Sequence, residues 1–408
     1  MQKVTRIGFT VWFLCAFFYA LEFIVRASGN SLYHGFLAEP YNLTPEKIGV
    51  FSSAFYWAYV AAQLPAGILL DKFGIKKVMM FSTFIFSIGV LIATMATTES
   101  SLVIYRILAG LGGGFAFLSA LKAIAVWLPN RLFPMFTGAT QMLMYTAGTL
   151  TGLPLVMLSN HYSIQVIMAG ILVVSIVLFF CTVVFMKGEE PHNQKDTNAL
   201  ADTHSEPSDI SKVFKNKQIW LNGLFCFTIY GTTALFADLW SFRFLTLEGY
   251  PEYYAGAASS MIFIGIAVFS PLWGFVATAL NKEKVLLVGA SVVGIFTVSA
   301  IVYFKLNPIL MCFLCVLWGG MQAVHVLNFT ILRNQVDAKY IATGLAVVNL
   351  FIPLSGAILQ PFVGYAVTYL RNIGYTDIGS LKVTLFILPI LMFLSLVLAL
   401  FIKEKKHN

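Results

Sequence analysis

The sequence predicts an all-α membrane protein with twelve spanning helices, arranged as two six-helix bundles. Of its 408 residues, 59% are hydrophobic and only 11% are charged, whereas a soluble chain carries about 25% charged residues. The apolar residues form twelve long, continuous runs. Such runs fit helices, because a spanning helix needs about 20 mostly apolar residues, whereas barrel strands would alternate polar with apolar residues over about ten positions. The second half of the chain also repeats parts of the first.

The twelve predicted helices follow one another along the chain. The first contains Glu22 and Arg26 and does not lead into a small-residue cleavage site, so a cleavable signal peptide is not expected. Before the second, Thr44 and Pro45 have the residue types of an N-cap and a first helical position. The predicted cores are 7–28, 47–70, 76–96, 101–127, 132–158, 163–186, 217–246, 252–280, 284–304, 308–332, 340–369 and 381–402.

The distribution of Lys and Arg predicts the orientation in the membrane. With both termini in the cytoplasm, most of these residues fall in inner segments, and the outer loops hold only Lys47, Lys305, Arg371 and Lys382. Cytoplasmic segments carry such an excess of positive charge. The net charge of +8 therefore reflects topology, and a nucleic-acid partner is not expected. We expect a multi-pass protein of a bacterial inner (cytoplasmic) membrane, in contact with the lipid bilayer.

The chain divides at its only long polar stretch, residues 187–216, which we predict to be a mobile cytoplasmic linker. It separates an N-terminal bundle, 1–186, from a C-terminal bundle, 217–408. The halves repeat: "GILLDKFGIKKV" at 67–78 aligns with "GFVATALNKEKV" at 274–285, and the same offset places Gly113 on Gly320. Such repeats predict two bundles related by an axis along the membrane normal, with the substrate site between them near the midplane.

No cofactor or metal is predicted. Five cysteines lie in apolar runs, and the C-x-x-C spacing of Cys312 and Cys315 has no second pair, so packing is the expected role. No Gly-rich phosphate loop with Lys and Ser is present, nor a cluster of His and carboxylates. The chain is therefore not expected to be an enzyme or to use ATP.

The stretch "GILLDKFGIKK" between helices 2 and 3 resembles the signature of the major facilitator superfamily. The resemblance implies that fold, and a gating role in which this stretch latches the outward-facing state. Gly67 is expected to allow close helix approach and Gly74 a tight turn. In the second copy Thr278 and Asn281 replace the Asp and the Gly, which implies a weak C-terminal latch. The matching residues are Gly67, Asp71, Gly74, Lys76 and Lys77.

Two further stretches resemble elements of this superfamily. In "RILAGLGGG", Arg106, Gly110 and Gly114 resemble an element whose arginine is associated with proton coupling; the alternative is that Arg106 snorkels to the nearby outer boundary. In "GTLTGLPL" (148–155), Leu153 precedes Pro154, so the antiporter element of helix 5 is incomplete, which favours uptake. The order of helices 1 and 2 also resembles phagosomal-type bacterial members, implied to carry amino acids or nucleosides. Anion-transporting branches likewise place an arginine in helix 1.

Glu22 and Arg26 are the main candidates for a substrate site. Four residues apart, they share a helix face with Tyr19 and lie about 6 Å apart along the axis. A charge at a helix centre costs on the order of 3 kcal/mol, so both must face the protein interior or a cavity. One interpretation is an ion pair that fixes packing. In the other, Arg26 holds a carboxylate or phosphate, while Glu22 binds an ammonium group or carries the coupling proton.

Other polar residues within the runs are weaker candidates. Each also has a structural explanation, such as snorkelling for Lys122 or a hydrogen-bonded structural role for His325. For proton coupling we predict Glu22, Arg106 and His325, and for gating Asp238 and Arg243 beside the signature residues. For substrate binding, with Tyr19, Glu22 and Arg26, we predict Tyr56, Lys122, Gln141, Tyr145, Tyr230, Gln322, His325 and Asn349.

The function predicted from these residues is proton-coupled import of a small polar metabolite by alternating access. A substrate with both charges, an amino acid or short peptide, would fit Glu22 beside Arg26. The alternative substrate is an organic anion (a sugar acid, organic phosphate or carboxylate siderophore), which would be favoured if Lys122 and Arg26 shared one cavity. An exporter and a non-transporting receptor are the other classes considered. The expected partners are the substrate and a proton, and the chain is expected to act as a monomer.

Overall fold

A computed structural model describes residues 5–37, 41–129, 132–188, 215–280, 282–335 and 341–404. Within these ranges the regular structure is entirely helical. Eleven helices are long and apolar enough to cross a membrane. One of them, Pro45–Met95, has 51 residues and would be about 75 Å long if straight. Because a bilayer core is about 30 Å thick, this element contains two spans, and the predicted twelve-helix fold is confirmed.

The break between those two spans lies at Gly74. Its φ of 79° and ψ of 159° are not helical, and this conformation is open to glycine but strained for other residues. The tight turn predicted for Gly74 is therefore confirmed. Its counterpart in the second copy, Asn281, lies outside the described residues, as does most of the predicted linker.

We number the spanning helices α1 to α12. Those of the first half are α1 Arg6–Ser31, α2 45–73, α3 75–95, α4 Glu99–Gly113 with Ala116–Trp127, α5 Phe133–Thr149 with Leu153–Ser159, and α6 Ile164–Phe185. Those of the second half are α7 Lys217–Leu235 with Phe236–Trp240 and Ser241–Leu247, α8 Glu252–Leu280, α9 Glu283–Tyr303, α10 Pro308–Gln322 with Ala323–His325 and Val326–Gln335, α11 Ile341–Asn372, and α12 Asp377–Thr384 with Ile387–Phe401.

Side-chain caps set several helix starts. Thr44 has an extended backbone and accepts a hydrogen bond from the backbone nitrogen of Lys47 at 3.4 Å, with Pro45 at the first helical position. This is the N-cap predicted from the sequence, and it satisfies one of the free N–H groups of a helix start. Thr98 and Ser101 form a reciprocal capping box at the start of α4.

The molecule has two ends, which we name by the chain. The linker end holds the start of α7 and the end of α12, where Gln218 donates to the carbonyl oxygen of Phe401 at 3.3 Å. The opposite end holds the starts of α2 and α4, where Lys47 pairs with Glu99 at 2.6 Å. By the predicted orientation, the linker end is cytoplasmic.

Glycines allow very close helix crossings within each half. A Cβ on Gly110 of α4 would lie 2.3 Å from the carbonyl oxygen of Phe55 on α2. In the second half, a Cβ on Gly319 of α10 would lie 2.0 Å from the carbonyl oxygen of Ile262 on α8. Small residues drive such packing in membranes, where the hydrophobic effect does not favour helix association.

The two halves meet closely near the opposite end. There α2 runs against α11: a Cβ on Gly49 would lie 2.6 Å from the carbonyl oxygen of Gln360, and the backbone nitrogen of Glu46 donates to Thr368 at 3.2 Å. Helices α5 and α8 meet through Ser260, which donates to the carbonyl oxygen of Thr149 at 2.8 Å.

Toward the linker end the close contact between the halves is lost. A Cβ on Gly67 of α2 would meet no described atom within 4 Å. The close approach predicted for Gly67 is therefore wrong for this state. The linker-end pieces of α4 and α10, Ala116–Trp127 and Val326–Gln335, pack mainly within their own halves. The structure is closed at the opposite end and looser at the linker end.

Candidate functional site

Glu22 and Arg26 are buried in α1, with 0% and 6% of their surface exposed. They do not form an ion pair, since neither carboxylate oxygen of Glu22 has a hydrogen-bond partner in the described part of the chain. The ion-pair interpretation is therefore wrong. Glu22 packs instead against Gly113 of α4, where a Cβ would come within 3.2 Å of it. Oε2 of Glu22 would itself lie 3.4 Å from that Cβ, so the carboxylate lies at the contact between α1 and α4.

Aromatic rings surround the guanidinium of Arg26. Its Cζ atom lies 4.3 Å from the ring centre of Phe23, 5.7 Å from Tyr59 and 5.9 Å from Tyr56. Nη2 contacts the sulfur of Met144 at 3.7 Å, and Nε has no hydrogen-bond partner among the described residues. Ring faces stabilise a cation but leave its hydrogen-bond donors free. Arg26 is thus a buried cation ready to take an anion.

Arg26 faces a cavity between the two halves. The cavity is small, about 20 Å³, which holds one or two water molecules. Much of the predicted substrate set lines it, on α1, α5, α7, α10 and α11. The lining residues are Tyr19, Arg26, Tyr59, Gln63, Gln141, Met144, Tyr145, Tyr230, His325, Asn349, Ile352 and Pro353.

His325 enters this lining because α10 tightens into a 3₁₀ turn at Ala323–His325. Its Nδ1 lies 2.8 Å from the carbonyl oxygen of Gln322. Because a carbonyl only accepts, Nδ1 carries the proton of this bond. The ring packs edge-on to Tyr230 at 5.9 Å. Nε2 is left to accept from a hydroxyl or, when protonated, to donate.

Four predicted substrate residues lie outside the cavity lining. Glu22 packs on α4, and Tyr56 donates to Asp238. Lys122 donates to Asp71 at 3.0 Å and to the carbonyl oxygen of Leu70 at 2.7 Å. Gln322 bonds to Thr232 within the second half. Lys122 and Arg26 therefore do not share a cavity in this state.

Arg106 of α4 is 1% exposed, so the snorkelling alternative is wrong. Its Nη1 donates to the carbonyl oxygens of Val25 and Arg26 at 2.8 and 3.1 Å, and its Cζ lies 4.5 Å from the ring centre of Phe51. These bonds hold the turn of α1 that carries Arg26. A role in proton coupling stays a prediction.

The predicted gating residues are separated in the structure. Asp238 and Arg243 do not pair: Asp238 accepts from Tyr56 of α2, and Arg243 pairs with Asp377 of α12 at 3.0 Å. Asp71 pairs with Lys122 inside its own half. Of the signature lysines, Lys76 is half-buried and Lys77 is exposed beside the turn. Any latch by these residues belongs to a different conformation.

Several lining residues were not predicted. Gln63 follows Tyr59 by four positions on α2, and this spacing places both on one helix face, a signal that the sequence contained. Met144, Ile352 and Pro353 are apolar in an apolar chain, and no pattern distinguishes them. The lining therefore combines one guanidinium with amides, phenols and an imidazole. Within the described residues it contains no carboxylate.

Comparisons with known proteins agree with this fold. A family model described as Major Facilitator Superfamily matches residues 12–358. Among solved structures, a D-xylose–proton symporter superposes with a TM-score of 0.77 at 12% identity, covering 97% of both chains. A bacterial homolog of the lysosomal transporter Spinster, in an inward-facing and occupied conformation, also gives 0.77 at 13% identity, covering 98% of this chain and 97% of that one. At these identities the likeness shows the fold.

Curated relatives align over shorter stretches. A probable sulfoacetate transporter of Cupriavidus necator is 31% identical over 28% of this chain and 27% of its own length. A probable galactarate/D-glucarate transporter of Escherichia coli is 36% identical over 23% of this chain and 22% of its own. An uncharacterized transporter of Bacillus subtilis is 25% identical over 57% and 56%. The chain thus matches between about a fifth and somewhat over half of these relatives' lengths.

Proposed function

The chain belongs to the Major Facilitator Superfamily and is a multi-pass membrane transporter, and we propose that it imports a small organic anion together with protons by alternating access. The observation that carries the proposal is the unpaired guanidinium of Arg26 at the cavity. A buried donor without a hydrogen-bond partner is costly, and a bound carboxylate, sulfonate or phosphate would accept from the guanidinium and relieve that cost. The planar fork of arginine suits each of these groups.

An anion fits this site better than the amino acid or peptide that the sequence favoured. A zwitterion needs an acceptor for its ammonium group, and Glu22 lies outside the lining. The names of the similar curated proteins point the same way, since sulfoacetate, galactarate and D-glucarate are all organic anions. The amides and phenols around Arg26 supply hydrogen bonds for hydroxyl groups on such a substrate.

Proton coupling would follow from the charges near Arg26. Burial favours the neutral form of a carboxyl group, whereas a nearby cation favours the carboxylate. An anion on Arg26 cancels part of that cation's field, so a proton on Glu22 becomes more favourable when substrate is bound. By linkage, a proton on Glu22 strengthens anion binding equally.

Glu22→Gln is expected to abolish accumulation of anion against its gradient while leaving exchange intact. The amide has the shape of the protonated acid but cannot release a proton, so substrate still crosses without a driving proton. In proteoliposomes, counterflow should stay within about twofold of wild type while uptake driven by a pH gradient falls to background. Full accumulation in this variant would remove Glu22 from the mechanism, and loss of counterflow would make it a binding residue instead.

The substrate class can be tested by a thermal-shift panel on the purified protein. Sulfoacetate, D-glucarate, galactarate and D-gluconate would be compared with neutral sugars, amino acids, dipeptides and nucleosides. A bound ligand raises the melting temperature by mass action. We expect anions alone to do so; stabilisation by amino acids or neutral compounds and not by anions would contradict the proposal.

Placement and assembly complete the proposal. The excess of Lys and Arg at the linker end supports cytoplasmic termini in a bacterial inner membrane. In that orientation the closed end faces outward and the looser end faces the cytoplasm. The cavity is formed by one chain, which supports function as a monomer.

A further inference from the structure

We propose that Asp238 is a second proton-binding carboxyl group of this transporter, and that its protonation loosens the closed contact between the two halves. The inference rests on the proposed anion–proton symport, because it assigns one step of the proton's route. It differs from the gating role predicted from the sequence, since it makes the gate respond to a proton.

Asp238 lies in an unusual segment of α7. Residues Phe236–Trp240 form a π-helical turn, which is rare and often marks functional positions because it disturbs the regular hydrogen-bond ladder. Just beyond it, the backbone nitrogen of Phe242 donates to Oδ1 of Asn30 at 2.9 Å, and Nδ2 of Asn30 donates to Ser241 at 2.9 Å. The π turn thus lies at a bridge between the two halves.

The carboxylate of Asp238 is itself part of this bridge. It is 1% exposed, and Oδ2 accepts a hydrogen bond from the phenol of Tyr56, which belongs to the first half. Oδ1 has no partner among the residues that the structure describes. A hydrogen bond to an ionised acceptor is about twice as strong as one between neutral groups. Protonation of Asp238 would therefore weaken one of the bonds that keep this end closed.

The surrounding charges connect Asp238 with the anion site. Ionised together, Glu22 and Asp238 balance Arg26 and Arg106, so the buried set has no net charge before substrate arrives. Tyr56 lies between Arg26 and Asp238: its ring centre is 5.9 Å from Cζ of Arg26, and its hydroxyl donates to Asp238. Five titratable or charged groups act on Asp238 from neighbouring helices, and Tyr230 acts on it from α7 itself. The five on neighbouring helices are Glu22, Arg26, Tyr56, Arg106 and Tyr145.

An anion on Arg26 would upset this balance. It adds negative charge where the dielectric response is weak, so a proton on Asp238 becomes favourable.

Glu22 and Asp238 lie at different depths in the membrane-spanning part of the protein. A Cβ on Gly29 would lie 3.3 Å from Leu239, so Asp238 is level with the Arg26–Gly29 turn of α1, and Glu22 is one turn nearer the linker end. Asp238 can then exchange its proton when the opposite end opens, and Glu22 when the linker end is open.

The test uses a reporter thiol and no substrate. Ser52 of α2 is 4% exposed, and its Oγ lies 3.4 Å from the position of a Gly29 Cβ, beside this bridge. In Ser52→Cys protein, a membrane-impermeant thiol reagent applied from the opposite end reports opening. The thiolate is the reacting form, so each rate is divided by that of a small free thiol with the same reagent in the same buffer. We expect this ratio to be about tenfold higher in acidic than in neutral buffer, since an opening equilibrium shifted by one hydrogen bond changes by about this factor. The same protein without the reporter corrects for native cysteines.

When Asp238→Asn is introduced into the Ser52→Cys protein, labelling should be fast in both buffers, because asparagine is neutral and has the same shape. Added Glu99→Gln should retain the response to acid, because Glu99 pairs with Lys47 within the first half and lies outside the bridge. Labelling in Asp238→Asn that still follows pH as in its parent, or that stays slow, would overturn the proposal. Because the assay uses no substrate, its results can be interpreted even if the transported substrate is not an organic anion.

Infrared spectroscopy of the otherwise unmodified protein gives an independent answer. A protonated carboxyl group shows a C=O stretching band that the carboxylate lacks. On acidification we expect one component of this band to be absent in Asp238→Asn and a different one in Glu22→Gln. An Asp238→Asn spectrum identical to that of wild type throughout the titration would show that Asp238 binds no proton.

Discussion

Replacing Arg26 by alanine is expected to weaken organic-anion binding about 100-fold while leaving the protein folded. Arg26 is the only arginine or lysine among the described residues that line the cavity, so the variant loses every charge-assisted bond to the substrate. That loss is worth about 3 kcal/mol, or on the order of a 100-fold weaker affinity. The fold should not suffer, because the guanidinium is buried with a sulfur contact and a free Nε.

Two companion variants sharpen this result. Arg26→Lys keeps the charge but loses the planar fork, so we expect an affinity between those of wild type and Arg26→Ala. Arg243→Ala removes an arginine that pairs with Asp377 at the opposite end, and it should leave affinity unchanged. Titration calorimetry with D-glucarate and sulfoacetate at one fixed salt concentration makes the comparison. Equal affinity in wild type and Arg26→Ala, for a compound that wild type binds, would remove Arg26 from the site.

The helices were predictable because the membrane imposes a simple rule on composition. Each spanning helix must be apolar over its whole length, so continuous runs show where the helices lie. Local backbone demands were equally visible: only glycine suits the turn at Gly74, and the Thr44–Pro45 pair begins α2. The relative placement of helices follows from contacts far apart in the chain, and no single run encodes those.

The site was predictable only in part for the same reason. Intramembrane charge identified Arg26, and helical spacing placed Tyr19 on its face. Spacing also suggested an ion pair with Glu22, but Glu22 instead packs against Gly113 of α4. The partners of Lys122 and Asp238 belong to other helices, and the π turn of α7 changes which residues face the interface. Such outcomes depend on tertiary packing, whereas residue type and spacing describe one helix at a time.

Substitution of the crossing glycines is expected to destabilise the protein strongly. In Gly110→Ala the new methyl group would lie 2.3 Å from the carbonyl oxygen of Phe55 and 3.0 Å from Cβ of Ala58. In Gly319→Ala it would lie 2.0 Å from the carbonyl oxygen of Ile262. Both obstacles include backbone, which cannot rotate away as a flexible side chain could. The helices must therefore separate, and we expect the free energy of unfolding to fall by about 3 kcal/mol or more in each variant.

Gly170→Ala on α6 is the matched control for these two variants. Its Cβ would meet no atom within 4 Å in the described parts of the protein, and alanine is about 1 kcal/mol more favourable than glycine inside a helix. Melting temperature and the yield of monodisperse protein after size-exclusion chromatography should be unchanged or improved in Gly170→Ala and strongly reduced in the other two. If Gly110→Ala and Gly319→Ala melt like the control, the crossings of α2 with α4 and of α8 with α10 are not as close as the structure places them. Because both crossings position the helices around the cavity, anion binding should weaken in these variants together with stability.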